Sequence, residues 1–224
     1  MEGHGGHMVI VGFGDSITAG VRVGEDESYL QRLGQRFECA IHNEGVAGNT
    51  SAQGLERLQT VLERKADICI VAFGMNDHVM EAVHYPRVDV PAFRQNLIEI
   101  CRALTAGGAT PILCTIHPII EGGPESYYYA RSPREWYEAS GGAQARIDMY
   151  SRTIRDVAEA CGVALADIAL AWAARLVNGG SLHDLLLTVE NSGKDDGVHP
   201  SPEGHRVYEV CIAETIERAL RHCP

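Results

Sequence analysis

The sequence predicts a doubly wound α/β domain: a parallel sheet of five strands with helices on both faces. Short, β-branched apolar runs recur along the 224 residues, at 8–13, 39–43, 68–73, 111–116 and 163–166. Each is four to six residues long and bounded by glycine, proline or polar residues, as buried strands are. Segments with a helical apolar period separate the runs, and no internal repeat or linker interrupts them. Strand and helix alternating in this way imply parallel strands joined by right-handed crossovers.

The first strand, Met8-Val9-Ile10-Val11-Gly12-Phe13, leads into the turn Gly14-Asp15-Ser16-Ile17-Thr18-Ala19-Gly20. From Ser28 to Phe37, apolar Tyr29, Leu30, Leu33 and Phe37 recur at helical spacing. The second strand, Cys39 to Asn43, passes into the loop Glu44-Gly45-Val46-Ala47-Gly48-Asn49. Thr50 and Gln53 form a capping box, and the pattern predicts one helix from there to about Arg64. Ile68 to Phe73 is the third strand, closed by Gly74-Met75-Asn76-Asp77. Asp89 and Pro91 open a helix that Gly107-Gly108 stop, and Pro111 to Ile116 is the fourth strand.

His117 to Gly142 breaks the rhythm. It is rich in glycine, proline and aromatics and has no period, so it is read as an insertion or lid loop. A helix from about Ala143 to Ala160, a strand at 163–166 and a helix from about Ile168 to Leu176 restore the alternation. A polar stretch follows from Asn178 to Asp196. Ser201 as N-cap and Pro202 at the first helical position then begin the last helix. Residues 1–7, which include His4 and His7 among glycines, are expected to be a flexible tail, leaving 8–224 as one domain.

Composition excludes several classes of partner. The formal charge of −11 argues against a surface that tracks nucleic-acid phosphates. No run approaches the roughly 20 apolar residues of a membrane span. The seven cysteines lack any C-x-x-C pair, and Cys69 and Cys114 sit in apolar runs, so buried thiols are expected rather than disulfides or structural zinc. The first residues have neither the basic region nor the apolar core of a signal peptide, and a cytoplasmic location is the expectation. Oligomeric state is left open.

Three glycine-containing turns follow predicted strands, and in a parallel sheet such turns share one edge. Ser16, Gly48 and Asn76 can therefore meet there. They are a hydroxyl, an unobstructed backbone N–H and a neutral amide donor, the parts an acyl-transfer site needs. Serine is a weak nucleophile until a base accepts its proton. Asp196-Gly197-Val198-His199 supplies one, with an Asp three residues before a His to orient the ring. His205 and His117 are rival bases, and Asp195 a rival orienter. Ser16 alone reads sooner as a helix cap, and Asp15 and Asp77 as turn-tying residues. Gly12-Phe13-Gly14 fails as a dinucleotide fingerprint because Ile17 stands at the third glycine. Thr18 in place of glycine excludes the nucleophile elbow.

Taken together, Gly14-Asp15-Ser16, Gly48 within Gly45 to Thr50, Gly74-Met75-Asn76-Asp77 and Asp196-Gly197-Val198-His199 resemble the four blocks of the SGNH, or GDSL-type, hydrolases, in order and across nearly the whole chain. The resemblance implies a flavodoxin-like sheet and ester hydrolysis through an acyl-serine. It implies Ser16 as nucleophile, His199 as base and then acid, Asp196 orienting it, and an oxyanion hole of the Ser16 and Gly48 N–H groups with the Asn76 side chain. No metal or organic cofactor is implied, and the partner expected is a small-molecule ester, with short acyl chains favoured. Deacetylation of a sugar, cleavage of a lysophospholipid or thioester, and a catalytically silent binding domain are the alternatives. Asp15, His117, Tyr127 and Trp136 are further candidates for substrate contact.

Overall fold

The computed structural model describes residues 8–221. The stretch 1–7 lies outside the described residues. Five parallel strands form one sheet: β1 (Val9–Gly14), β2 (Ala40–Gly45), β3 (Ile68–Ala72), β6 (Thr110–Cys114) and β7 (Ala164–Ala166). Their spatial order is β2-β1-β3-β6-β7, the flavodoxin-like arrangement, with the direction of winding reversing between β1 and β3. Two further short strands, β4 (Met80–Ala82) and β5 (Tyr85–Pro86), make an antiparallel hairpin outside this sheet that the apolar pattern did not announce.

Both faces of the sheet are covered, which is why its inner strands read as unbroken apolar runs rather than alternating ones. Consecutive residues of β1 show the two sides. Gly12 lies against Leu30 of helix α2 (Tyr29–Phe37), where a Cβ would stand 2.7 Å from the Leu30 side chain. The ring of Phe13, one residue on, meets Phe73 edge to face at 5.0 Å. On the α2 side pack α7 (Ile168–Val177) and α10 (Pro202–Arg221). On the other side lie α3 (Ser51–Glu56), α5 (Val90–Ala106) and α6 (Ala143–Cys161). The predicted caps are present: Thr50 and Gln53 form their reciprocal box, and Asp89 accepts from the Ala92 N–H at 2.8 Å.

One sequence expectation is corrected, and two stretches without a predicted element acquire short ones. The single helix predicted from 50 to 64 is two, α3 and α4 (Leu58–Leu62), because Arg57 leaves helical geometry at φ −106° and ψ 12°. Its guanidinium is drawn to the Gly14 and Glu44 carbonyls and the Asn49 side chain instead. The stretch 117–142, read as an insertion or lid loop, has local structure. It forms two 3₁₀ turns, Tyr127–Ala130 and Arg134–Ser140, and buries Tyr128, Tyr129 and Tyr137. The polar stretch from 178 hides two short helices, α8 (Leu182–Leu185) and α9 (Val189–Ser192), around the buried run Leu185-Leu186-Leu187. The six described cysteines are free thiols.

Candidate active site

The carboxyl ends of β1, β2 and β3 meet where the winding direction changes. β1 ends at Gly14, and the four-residue helix α1 (Ser16–Ala19) begins at once, capped by Asp15, whose carboxylate accepts from the Ile17 N–H at 2.9 Å. Ser16 is thereby held half-buried at the sheet edge. Gly45 at the end of β2 lets this helix approach closely: a Cβ there would lie 2.2 Å from the Ala19 nitrogen.

His199 reaches Ser16 from the opposite end of the chain. Its Nε2 is 3.0 Å from Ser16 Oγ, and its Nδ1 is 3.0 and 2.9 Å from the two carboxylate oxygens of Asp196. Asp196 is buried and also accepts the backbone N–H groups of Val198 and His199, at 2.9 and 2.8 Å. Between them Gly197, at φ +67°, closes the turn; a Cβ there would meet the Tyr127 ring at 2.8 Å and Ile120 at 3.1 Å. The Leu187 N–H donates to the His199 carbonyl at 2.8 Å, which anchors the turn to the buried leucine run.

Gly48 stands exposed in the left-handed conformation, at φ +79°, with open space where a side chain would project. Its loop is tied to β1 by the Val46 N–H, which donates to the Gly14 carbonyl at 3.0 Å. Asn76 is half-buried, and its amide nitrogen donates to Asp15 Oδ2 at 3.2 Å and to the Asn49 carbonyl at 3.1 Å. Behind it Asp77 is buried and receives the Ser51 N–H and hydroxyl, at 2.9 and 2.5 Å, joining the third turn to α3.

Electrostatics follow from burial. Burial first, then the Arg22 cation, pushes the His199 imidazole down to about 4; Asp15 pulls it up and Arg131 adds a smaller push down. Asp15 is pushed up to about 7, by burial and then by Asp77, with the Ile17 N–H opposing. Asp77 is pushed up to about 6, chiefly by burial. Among the described residues no group of three or more His, Cys, Asp or Glu is placed to hold a metal ion.

Ser16, Asp196 and His199 are thus brought into hydrogen-bond reach, with Asp15 beneath them, while His117, Tyr127 and Trp136 are engaged elsewhere. Asp15 is buried beneath the serine, its carboxylate taken up by Ile17 and Asn76. His117 is fully buried, stacked on Trp172 at 4.6 Å, with ring nitrogens 2.6 Å from the Tyr208 hydroxyl and 2.7 Å from the Val198 carbonyl. It supports the backbone before His199 from below and presents nothing to a ligand. Tyr127 lays its ring on Gly197 and His183. Trp136 lines a separate cleft with Met80, His84 and Met149. The rival His205 is buried against Tyr29, whose N–H its Nδ1 accepts at 3.3 Å. Asp195 receives the Tyr127 N–H at 2.9 Å, away from the imidazole.

Three arginines at the site carried no motif. Arg57 ties the first two turns together, as described above. Arg22 pairs with Asp196 Oδ2, and Arg131 donates to the Asp195 and Asp196 carbonyls. Only the closeness of Arg22 to Ser16 in sequence could have flagged it; nothing local marks the other two.

Residues 13–207 match the profile of the GDSL-like Lipase/Acylhydrolase family. The lipoprotein YqeF of Bacillus subtilis is 32% identical over 216 residues, 91% of this chain and 88% of that protein. Among solved structures, an acetyl xylan esterase, AlAXEase, superposes with a TM-score of 0.68 at 23% identity, covering 92% of this chain and 98% of that one. A mutant of Axe2, an acetyl-xylooligosaccharide esterase from Geobacillus Stearmophilus, does so at 0.69 and 21%, covering 95% of each chain. At these identities the likeness to the solved structures is one of fold.

Proposed function

Since the chain belongs to the GDSL-like lipase/acylhydrolase family, we propose that it is a serine esterase working through Ser16, His199 and Asp196. The observation that carries this reading is the unbroken path from Ser16 Oγ to His199 Nε2 at 3.0 Å and from Nδ1 to Asp196 at 2.9 Å. Ser16 Oγ attacks the ester carbonyl as His199 takes its proton. Asp196 holds the ring in the tautomer that leaves Nε2 free to accept, and stabilises the imidazolium. The oxyanion is received by the Ser16 and Gly48 N–H groups and the Asn76 amide. His199 then protonates the leaving alcohol, and water repeats the cycle on the acyl-serine.

A short acyl ester of a sugar or other polyol is the substrate reading with most support. Beside Gly48 opens a cleft of about 390 Å³ lined by Thr50, Gln53, Glu81 and Arg87, all polar. Such a lining suits hydroxyl groups and gives a long acyl chain no apolar surface to bury.

The test is hydrolysis of nitrophenyl acetate, longer nitrophenyl esters and acetylated xylooligosaccharides by the protein and its Ser16→Ala variant. Loss of at least 10³-fold in kcat on Ser16→Ala, with a fluorophosphonate adduct on Ser16 only in the parent, is the expected result. Activity that survives Ser16→Ala refutes the nucleophile. A preference that climbs with acyl length refutes the polyol ester.

A further inference from the structure

Asp196 does not face His199 alone. Arg22, three residues beyond the end of helix α1, reaches across 174 positions to pair with Asp196 Oδ2. The two ends of this pair are unlike. The Asp196 side chain is 2% exposed, whereas that of Arg22 is 46% exposed. Arg22 also sits at φ +71°, in the left-handed region where a residue with a Cβ is uncommon. An arginine kept where glycine would rest more easily is explained when its side chain is needed at that spot.

The carboxylate has two oxygens and four donors. Oδ1 receives the Val198 and His199 backbone N–H groups at 2.9 and 2.8 Å. Oδ2 receives no backbone donor, only Arg22 and the imidazole. The imidazole approaches both oxygens, Oδ1 at 3.0 Å and Oδ2 at 2.9 Å, and Arg22 is the one other donor on Oδ2. From the other side Arg131 donates to the Asp195 and Asp196 carbonyls, so the segment carrying the carboxylate is gripped between two guanidinium groups.

We propose that Arg22 is a positioning residue of the esterase, holding Asp196 Oδ2 in line with His199 Nδ1 and supplying a fixed cation beside the imidazole. The proposal rests on the reading of Ser16, His199 and Asp196 as the reacting groups. Two consequences follow. Without the guanidinium, the carboxylate keeps its backbone bonds on Oδ1 but is free to swing on Oδ2, so the ring it orients is less often aligned with Ser16. The imidazole also loses a neighbouring positive charge that disfavours its protonated form. Arg22 is second only to burial in pushing His199 down. The other groups around the ring are Ser16, Asp196, Asp15, Arg131 and the buried imidazoles of His117 and His205.

The decisive variant is Arg22→Gly, because glycine suits the backbone at this position and separates strain from function. Its melting temperature is expected to equal or exceed that of the parent. Its kcat should fall about tenfold with KM little changed, the lower end of what losing an orienting partner costs in other sites. The acid limb of its kcat/KM profile should move to higher pH. Raising salt from 0.1 to 1 M, which shortens the screening length from about 10 to 3 Å, should move the parent's limb upward and the variant's less. Arg22→Lys should hold the limb where the parent has it.

An unchanged kcat in Arg22→Gly, or a limb that moves as far in Arg22→Lys as in Arg22→Gly, overturns the proposal. A titration of the His199 ring followed by NMR keeps this apart from the wider reading. An equal midpoint in parent and Arg22→Gly sinks the role of Arg22 whatever the activity. Activity surviving Ser16→Ala instead sinks the nucleophile and leaves the His199 midpoints to stand as measured.

Discussion

Asn76 carries two amide hydrogens, and in the free protein both have acceptors, Asp15 Oδ2 at 3.2 Å and the Asn49 carbonyl at 3.1 Å. In the proposed mechanism an oxyanion draws one of them away. Asp15 is the weaker holder, since its carboxyl is pushed up to about 7 and near neutrality is protonated for a large part of the time. A donor already aimed by two neighbours needs little reorganisation as charge develops, which is where such donors act. Asn76→Ala is accordingly expected to lower kcat by about 10² to 10³ while leaving KM close to the parent's. Steady-state kinetics on nitrophenyl acetate decides it, and a loss confined to KM removes Asn76 from the oxyanion hole. At this scale the sequence was most informative where chemistry stands next to a turn. Ser16, Gly48, Asn76 and the Asp196–His199 pair each follow glycine or occupy a short motif whose geometry is local. His117 misled because it too follows a strand, yet its ring turns inward between Trp172 and Tyr208. The arginines were illegible because long flexible side chains choose partners that only the fold brings near.

Short elements position the serine, and their spacing is set by a glycine. Helix α1 has only four residues and leans on the end of β2, where a Cβ on Gly45 would sit 2.2 Å from the Ala19 nitrogen and 2.7 Å from the Thr18 carbonyl carbon. Those are backbone atoms, so no rotamer change can make room. Gly45→Ala should push α1, and Ser16 with it, away from the sheet edge. Overpacking of this kind costs about 1–3 kcal/mol, or roughly 2–4 °C of melting temperature per kcal/mol in a chain of this size. The matching expectation is a fall in kcat larger than the stability loss alone explains, measured well below the melting transition. An unaltered kcat would mean that the serine does not depend on this contact. The periodic elements were the legible ones: five strands and the five helices of nine or more residues lie where the sequence pattern puts them, within a few residues. What periodicity missed was short or tertiary in origin. The hairpin β4–β5 has too few residues to show a period, and it is held by the Tyr137 hydroxyl, which accepts from the Met80 N–H at 3.0 Å. The break at Arg57 answers to carbonyls in two other turns, which no window around residue 57 contains.

For the molecule as a whole, closing the active site buries ionisable groups that the unfolded chain leaves in water, and this ties stability to pH. Four imidazoles are pushed down by burial: His78, His199 and His205 to about 4, and His117 to about 3. In the unfolded chain they take up protons below about 6.5, whereas in the folded protein they stay neutral until near 4. Their share of stability is thus full above pH 6.5 and lost as pH falls. Asp15 and Asp77, pushed up to about 7 and 6, act in the opposite sense. Between pH 4 and 6 the folded protein holds their protons and the unfolded chain has released them, so their share favours the fold in acid. With four groups binding protons on unfolding and two releasing them, unfolding takes up a net of about two protons in this window. The imidazoles outnumber the two carboxyls, so their combined effect is that the unfolding free energy falls as pH drops from 6 to 4. Urea unfolding across this range measures the slope directly, and a flat or rising stability toward acid would show that the imidazoles are not held neutral. The catalytic limb and the stability loss also separate in principle. His199 should keep its base form below the ordinary imidazole value of about 6.5, so initial rates after a brief jump to pH 5 should stay near those at pH 7 even as long incubation at pH 5 begins to unfold the protein.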